Sequence, residues 1–428
     1  MPSNRQISIA RDLKDNIIFV FILLVGSIPQ IFGGYSAYLL VLLYPYILLR
    51  SRLRISPGFV LSLIFGLSYI IPLYFHESET NFASIMFMLL YPSLYYLIPK
   101  YISKRFRNPN SIFVITVLVI TCIAGWSIWM NVLDTIQSGQ IVNIRRSLRS
   151  SMDNFEGVTS ATNHNMMLAL GMSGFGLIFV KAKNDFEKRV KWFLILLGVL
   201  SFFSGIHLLN RTAIALVAIA CLIPLLIGGW NAKYYVWILG VALILAIIYF
   251  LFIDGSIAAK EITEGIMSRE ETSGSLQSGN DRDIRWLAAI EQIPEFPLGS
   301  DYLMLDGKHT FAHNTWLDCG VQAGWLAFIL LIVITLRFIK SAYYLVFKNK
   351  TVPDFWRAYF AIVTCVLLAQ MAVEPVIQGI TSLFFMMFYL WSLYQVLNSR
   401  TYMKRKRLTH IPNEIIYKNE NCNNYYCI

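Results

Sequence analysis

The residues of this sequence best suited to chemistry are polar side chains that stand directly before apolar segments. His313 and Asn314 open the segment HNTWLDCGVQAGWLAFILL. An imidazole changes charge near neutral pH and can act as a general base toward a hydroxyl group. The structural alternative is that Asn314 caps a helix while His313 is hydrogen-bonded in the preceding loop. The residues themselves leave both interpretations open.

Arginines supply the second kind of candidate. Arg211 stands in a tight turn between two apolar segments, in FSGIHLLNRTAIALVAIA, and Arg282 and Arg285 lie in SGNDRDIRWLAAIEQIPEFPLGSD. A guanidinium group is permanently charged and can donate two parallel hydrogen bonds, which suits it to a phosphate. The alternatives are that Arg211 extends to lipid headgroups and that the other two are solvated on an interfacial helix.

The segment that carries Arg282 predicts a short helix. Asn280 or Asp281 can cap its start, and Pro294 is expected to end it after about three turns. Four residues fall on one face, so that an arginine leads an apolar stripe: Arg282, Trp286, Ile290 and Ile293. The two acids of Asp281-Arg282-Asp283 can bind a divalent metal, but acids are favoured at a helix start in any case. We therefore expect capping there, and no metal or cofactor.

The elements that position these residues are those of a membrane protein. Of 428 residues, 56% are hydrophobic and 14% are charged, against about 25% charged in soluble domains. Apolar segments long enough to cross about 30 Å of hydrocarbon predict an all-α fold of about twelve transmembrane helices: 16–33, 35–49, 56–75, 82–99, 111–131, 164–180, 192–208, 212–229, 235–253, 315–336, 355–373 and 378–397. The first two can instead form a re-entrant hairpin around Gly33 and Gly34.

Basic residues predict the orientation of the chain. With both termini cytoplasmic, nine of the 36 Lys and Arg residues lie outside and the other 27 lie inside, as the positive-inside rule requires. The nine outer residues are Arg145, Arg146, Arg149, Arg211, Lys260, Arg269, Arg282, Arg285 and Lys308. The net charge of +11 is therefore mainly a topology signal and does not indicate a nucleic-acid partner.

These boundaries divide the chain into six parts. They are the N-terminal helices 1–131, a first outer loop 132–163, the central helices 164–253, a large outer loop 254–314, the C-terminal helices 315–397 and a basic cytoplasmic tail 398–428. Long loops on a multi-pass protein commonly carry function. The large loop ends at the histidine and asparagine of the first motif.

The motifs together resemble one family of bacterial envelope proteins. The sequence is similar to the O-antigen polymerase and O-antigen ligase family in an arginine at a short outer turn, Arg211, and in three motifs: Arg282-Asp-Ile-Arg-Trp286, Pro297-Leu-Gly299 and His313-Asn-Thr-Trp-Leu317 with Gly324 beyond it. The similar stretch runs from about 205 to 331. TSATNHNMMLALGM, before the sixth predicted span, fits the same pattern.

The resemblance implies a helical fold of the lipid-sugar glycosyltransferase (GT-C-like) type and a reaction without metal or cofactor. The implied donor is a glycan on undecaprenyl diphosphate at the periplasmic face of the inner membrane. His313 would activate or orient the acceptor hydroxyl, while Arg211 and Arg282 would hold the diphosphate with help from Arg285. Substrate contacts are also expected from Asn314 and from three arginines of the first outer loop, Arg145, Arg146 and Arg149.

Two branches of this family and one different class are compatible with the sequence. We expect a polymerase that joins lipid-linked repeat units, and its alternative is a ligase that transfers the glycan to lipid A core. A lipid-linked oligosaccharide flippase is the alternative from another class, but few ionisable residues lie at the middle of the predicted spans, where transport pathways tend to carry them. The expected partners are the lipid bilayer and the lipid-linked donor and acceptor, with a chain-length regulator and a flippase as candidate protein partners.

Overall fold

The computed structural model describes residues 4–28, 36–50, 55–76, 82–140, 143, 147–149, 158–208, 210–228, 278–300, 302–305, 307–379 and 381–399. These residues are mainly helical. The helices are α1 Asn4–Asp15, α2 Ile17–Ser27, α3 Ser36–Arg50, α4 Pro57–His76, α5 Phe82–Arg105, α6 Ser111–Ser138, α7 Ala161–Met172, α8 Asp185–His207, α9 Arg211–Gly228, α10 Ser278–Glu295, α11 Thr315–Tyr343, α12 Asp354–Val373, α13 Val376–Gly379 and α14 Thr381–Leu397. A 3-10 segment, Ser173–Phe179, follows α7, and a π-helical turn, Tyr344–Lys348, follows α11.

Four helical segments of the described chain are long and apolar enough to cross a membrane. They are Ser111–Ser138, Asp185–His207, Thr315–Lys348 and Asp354–Val373, and each contains or overlaps an expected span. Shorter apolar helices lie at Ile17–Ser27, Tyr38–Arg50, Pro57–Pro72, Thr212–Ile227 and Leu383–Leu397. The expected span 235–253 lies outside the described residues. The coarse prediction of a mainly helical membrane protein is therefore supported.

One expected span takes a different form. The segment 164–180 is not one continuous α-helix, because α7 gives way at Ser173 to the 3-10 segment. Glycines there let the backbone approach its neighbours: a Cβ on Gly174 would lie 1.9 Å from the Leu194 carbonyl oxygen, and one on Gly176 would lie 2.1 Å from that of Ala220. Of another expected span, 16–33, α2 covers Ile17–Ser27, and residues 29–33 lie outside the described ones.

The centre of the bundle is occupied by α14. Its residues from Leu383 to Tyr394 are buried on every side, which is the pattern of a helix surrounded by other helices. Two tyrosine hydroxyls on this helix are paired: that of Tyr389 lies 2.9 Å from the Thr116 hydroxyl, and that of Tyr394 lies 2.8 Å from the Thr364 hydroxyl. Because α14 packs on α5 and α11, it joins the N-terminal helices to the helix that begins beside His313.

Strands occur in the two outer loops, which the all-α prediction did not include. In the first, β1 Ser147–Arg149 pairs with β2 Val158–Ser160, with Ser147 opposite Ser160. In the second, β3 Leu303–Leu305 pairs with β4 Lys308–Thr310, with Leu303 opposite Thr310. Both pairs are antiparallel hairpins. The second lies between α10 and α11 in the chain and leads directly to His313.

Candidate functional site

Asn314 caps α11, which is the structural alternative that the sequence offered for it. Its Oδ1 accepts hydrogen bonds from the backbone N–H groups of Trp316 and Leu317, both at 3.2 Å, which satisfies two of the unpaired donors of the first turn. Its Nδ2 also donates to the carbonyl oxygen of Ala372, at 3.3 Å, near the end of α12. These bonds give Asn314 a structural role at the helix start, and its expected contact with substrate stays a prediction.

The start of α11 is tied to the end of α12 by a further residue. The Thr315 hydroxyl donates to the Glu374 carbonyl oxygen at 2.9 Å and accepts from the Val376 N–H at 3.3 Å. Thr315 is fully buried, so these bonds are shielded from solvent. The two helix ends therefore form one rigid corner, and the residue before the cap, His313, lies on it.

His313 has a left-handed backbone conformation, with φ = +54°, and it is the one non-glycine residue among the described ones with positive φ. For a residue with a Cβ this conformation costs about 1–2 kcal/mol. The compensation comes from Asp318, which is buried. Its Oδ1 accepts from the Ala312 N–H at 2.7 Å and its Oδ2 accepts from the Asn314 N–H at 3.0 Å.

Asp318 therefore holds the two peptide groups that flank His313. Its role acts on the backbone of the loop and not on the imidazole. Strained backbone of this kind is characteristic of functional sites. The signal that could have revealed it is the acid in the first turn of α11, four residues after the cap.

The imidazole of His313 faces a second carboxylate. Its Nδ1 lies 3.4 Å from Oε2 of Glu374, whose side chain is 8% exposed while that of His313 is 30% exposed. Hydrogen bonds of this length are typical of catalytic groups before substrate binds. Sequence reasoning missed Glu374. The signal was an acid at the end of an apolar segment, directly before Pro375, because an ionisable residue in such a place is seldom without a function.

The loop helix α10 is longer than expected and packs differently. It runs from Ser278 to Glu295, with Pro294 in its last turn. The buried face is formed by Ala289 and Ile293 with Trp286 beside them, whereas Ile290 is 54% exposed. Of the predicted apolar stripe, Trp286 and Ile293 therefore pack on this small cluster, whereas Ile290 does not. The reason is that α10 rests on a small surface made by β3, Ala312 and Val321, which covers only a narrow part of the helix.

Trp286 joins α10 to the histidine loop. Its indole N–H donates to the Ala312 carbonyl oxygen at 3.0 Å, and Ala312 is the residue before His313. Arg282 lies four residues earlier, or about 6 Å along the axis at 1.5 Å per residue, and its side chain is exposed. The Nε of Arg285 is buried and has no hydrogen-bond partner among the described residues. Both arginines therefore lie on the helical turns that lead to the histidine loop.

Two glycines of the sequence motifs meet in the structure. Gly299 has φ = +86° and Gly324 has φ = +76°. A Cβ on Gly299 would lie 2.2 Å from the Gln322 carbonyl oxygen, and one on Gly324 would lie 2.3 Å from that of Pro297. α11 departs from helical geometry at Gly324. Only residues without a side chain allow the two backbones to come this close.

Hydrogen bonds cross this glycine contact in both directions. The Ser300 N–H donates to the Val321 carbonyl oxygen at 2.7 Å, and the Trp325 N–H donates to the Pro297 carbonyl oxygen at 3.1 Å. The Trp325 indole N–H also donates to the Ile293 carbonyl oxygen, at 2.8 Å. The segment after α10 is thereby fixed to the break in α11. The Pro297-Leu-Gly299 motif and Gly324 of the histidine motif therefore form one contact in the structure.

The other predicted site residues are only partly described. Arg211 is the first residue of α9, and Asn210 caps that helix by accepting from the Thr212 N–H at 2.9 Å. The side chains of Arg211 and Arg149 lie outside the described part, as do residues Arg145 and Arg146 altogether. The predicted grouping of these arginines with His313 therefore stays a prediction.

A second histidine, which sequence reasoning missed, lies just before α9. Nε2 of His207 is 3.0 Å from Oδ2 of Asp134. Asn143 donates from Nδ2 to the same Asp134 oxygen at 2.8 Å, and its N–H donates to the His207 carbonyl oxygen at 2.8 Å. This cluster ties the first outer loop to the end of α8, four residues before Arg211.

Within the described ranges, no three His, Cys, Asp or Glu side chains are grouped as metal ligands. The chain matches no protein-family model and no curated protein sequence. The site combines three features. The backbone of His313 is restrained, a buried carboxylate contacts one nitrogen of its ring, and two arginines lie on the adjoining helix α10. Such a set can accept a proton from a hydroxyl group close to a bound anion.

Proposed function

We propose that this protein is a glycosyltransferase of the O-antigen polymerase type, with several transmembrane helices in the bacterial inner membrane and both termini in the cytoplasm. It joins undecaprenyl-diphosphate-linked oligosaccharide repeat units at the periplasmic face. The observation that carries this proposal is the setting of His313: a left-handed residue held by Asp318, facing Glu374, next to the helix of Arg282 and Arg285.

The reaction needs a general base and cationic side chains that bind the diphosphate. The acceptor hydroxyl oxygen attacks the anomeric carbon of the donor glycan, the bond from that carbon to the diphosphate oxygen breaks, and His313 takes the hydroxyl proton. Undecaprenyl diphosphate leaves with the bonding electrons. Arg211 and Arg282, assisted by Arg285, stabilise the charge on that diphosphate. Arg145, Arg146 and Arg149 guide the donor or its glycan.

The apolar surface of α11 supports a lipid-linked substrate. Trp325, Leu326, Ile329 and Leu336 are between 47% and 60% exposed along a helix that is apolar enough to cross a membrane. A polyprenyl chain can lie against such a surface in the bilayer while its diphosphate stays at the polar end of the helix. A polar site at the end of apolar helices is what this kind of substrate requires.

The test is the lipopolysaccharide made by cells that lack the gene or carry His313→Ala. Both strains should attach single repeat units to lipid A core and show no ladder of longer chains, because the ligase of the cell is intact. The matched control is His309→Ala. His309 lies in β4 and packs against the Tyr302 ring at 5.1 Å between centroids, and its loss should leave the ladder unchanged.

Other outcomes identify the alternatives. Polymer that accumulates on undecaprenyl diphosphate in the deletion strain, with none attached to lipid A core, would indicate the ligase. Repeat units that stay on the cytoplasmic side would indicate a flippase. A normal ladder in His313→Ala would remove the histidine from the chemistry and return it to the role of a loop residue before a helix cap.

A further inference from the structure

Glu374 is in an unfavourable place for an acid. Glu374 directly follows Val373, the last residue of α12. Its N–H donates to the Gln370 carbonyl oxygen, as is usual at a helix C-terminus. The negative end of the helix dipole disfavours a carboxylate there. The side chain is also 8% exposed, so the charge loses most of its hydration. Both the helix dipole and the loss of hydration disfavour a carboxylate at this position. A carboxylate that is present despite them indicates a functional role.

The fold of this corner does not depend on the Glu374 side chain. Thr315 binds the backbone carbonyl of Glu374, and Asn314 binds the carbonyl of Ala372. Asp318 separately holds the backbone on both sides of His313. These contacts would survive a change of side chain at position 374. The described side-chain contact of Glu374 that remains is its Oε2 with Nδ1 of His313, at 3.4 Å.

We propose that Glu374 is a positioning residue that acts through His313. Its carboxylate accepts the Nδ1–H of the neutral imidazole, so that Nε2 carries the lone pair that takes the acceptor hydroxyl proton. The carboxylate then stabilises the imidazolium formed by that transfer. Because Asp318 restrains the backbone of the loop, the motion left to His313 is mainly rotation of its ring. The contact with Glu374 restricts that rotation. This inference rests on the proposed function.

Two carboxylates lie close to His313. Asp318, on α11, is occupied by the backbone N–H groups of Ala312 and Asn314. The carboxylate that contacts the ring itself is that of Glu374, which follows α12.

Two substitutions separate the hydrogen bond from the charge. Glu374→Gln keeps an oxygen that can accept the Nδ1–H but removes the charge. Because the acceptor that orients the ring is kept while the charge that stabilises the imidazolium is lost, the plateau rate should fall by less than about tenfold. Glu374→Leu removes both features, and the plateau rate should fall about 10²-fold with KM unchanged.

The unfolding temperature separates a positioning residue from a structural one, because loss of a structural residue would lower it. The side chain of His313 is 30% exposed, so Glu374→Leu leaves no fully buried charge without a partner, and the large cost of removing one member of a buried ion pair does not apply. We expect the Leu variant to unfold in detergent at the same temperature as the wild type or higher, although it is inactive. A double variant with His313→Ala should be no slower than His313→Ala alone.

The experiment measures transfer by the full-length protein in detergent, with lipid-linked repeat units as donor and acceptor. A Gln variant no faster than the Leu variant overturns the proposal, and so does a Leu variant within twofold of the wild-type rate. An inactive wild type overturns the proposed function and this inference together. An active wild type with an unaffected Leu variant overturns only the role of Glu374.

Discussion

The glycine contact between the loop after α10 and the break in α11 gives the sharpest test of how the site is built. In Gly324→Ala the new Cβ would lie 2.3 Å from the Pro297 carbonyl oxygen and 2.7 Å from the Gly299 nitrogen. Both are backbone atoms, which cannot turn away as a flexible side chain can. Gly324 also has φ = +76° and ψ = −172°, a region that residues other than glycine seldom adopt.

A matched control lies in the same part of the chain. Gly307, in the turn of the β3–β4 hairpin, has φ = +72°, and a Cβ there would meet nothing within 4 Å. Gly307→Ala should cost about 1–2 kcal/mol for the left-handed backbone alone. Gly324→Ala adds about 1–3 kcal/mol for displaced atoms and about 1 kcal/mol for each of two backbone hydrogen bonds, so its excess over the control is about 3–5 kcal/mol.

The assay compares thermal unfolding of the two detergent-solubilised variants with their glycosyl transfer. Gly324→Ala should unfold several degrees below Gly307→Ala and lose transfer, because α10 and its arginines are no longer fixed beside His313. Equal unfolding temperatures would refute the argument that backbone contact requires glycine at position 324. Low stability combined with full transfer would refute the link between this contact and the site.

Two further results are expected. Arg282→Ala should abolish long chains, with a loss of about 10²–10³ in transfer rate, and Arg282→Lys should restore it only in part because an ammonium lacks the paired donors of guanidinium; a normal chain-length distribution in the Ala variant would remove Arg282 from the site. External thiol reagents should label Ser275→Cys and should not label a cysteine placed between Lys348 and Lys350, since the basic residues predict opposite sides. Protection of the cysteine at position 275 would place the arginines in the wrong compartment.

Local features of the site followed from the sequence because they depend on neighbours in the chain. The cap by Asn314 was one of two interpretations of its position, and it is present because an asparagine before an apolar periodic run supplies the acceptor that the first turn lacks. A helix beginning near Asn280 was likewise present, because its spacing is local. Four spans read from hydropathy alone correspond to helices of sufficient length.

Features that depend on contacts between distant segments were missed. Glu374 lies 61 residues after His313, and no local spacing links the two. Ile290 shares the helical phase of Trp286 and Ile293, but the surface beneath α10 is too narrow to cover it. The role of Asp318 was missed for another reason: an acid in the first turn of a helix marks its position, but its partners are backbone N–H groups, which every residue except proline carries.

The division of labour between the two acids follows from what each one binds. Asp318 uses both oxygens on peptide N–H groups, so its contribution is to the conformation of the chain around His313 and is present whether the ring is neutral or charged. Glu374 contacts the ring, so its contribution depends on protonation and grows when the imidazolium forms. The first acid offsets a strain that exists before substrate binds, and in the proposed mechanism the second stabilises a charge that exists only during proton transfer. A loop held in this way needs little rearrangement at the moment of reaction, which is the property that makes a fixed polar site effective at the end of apolar helices.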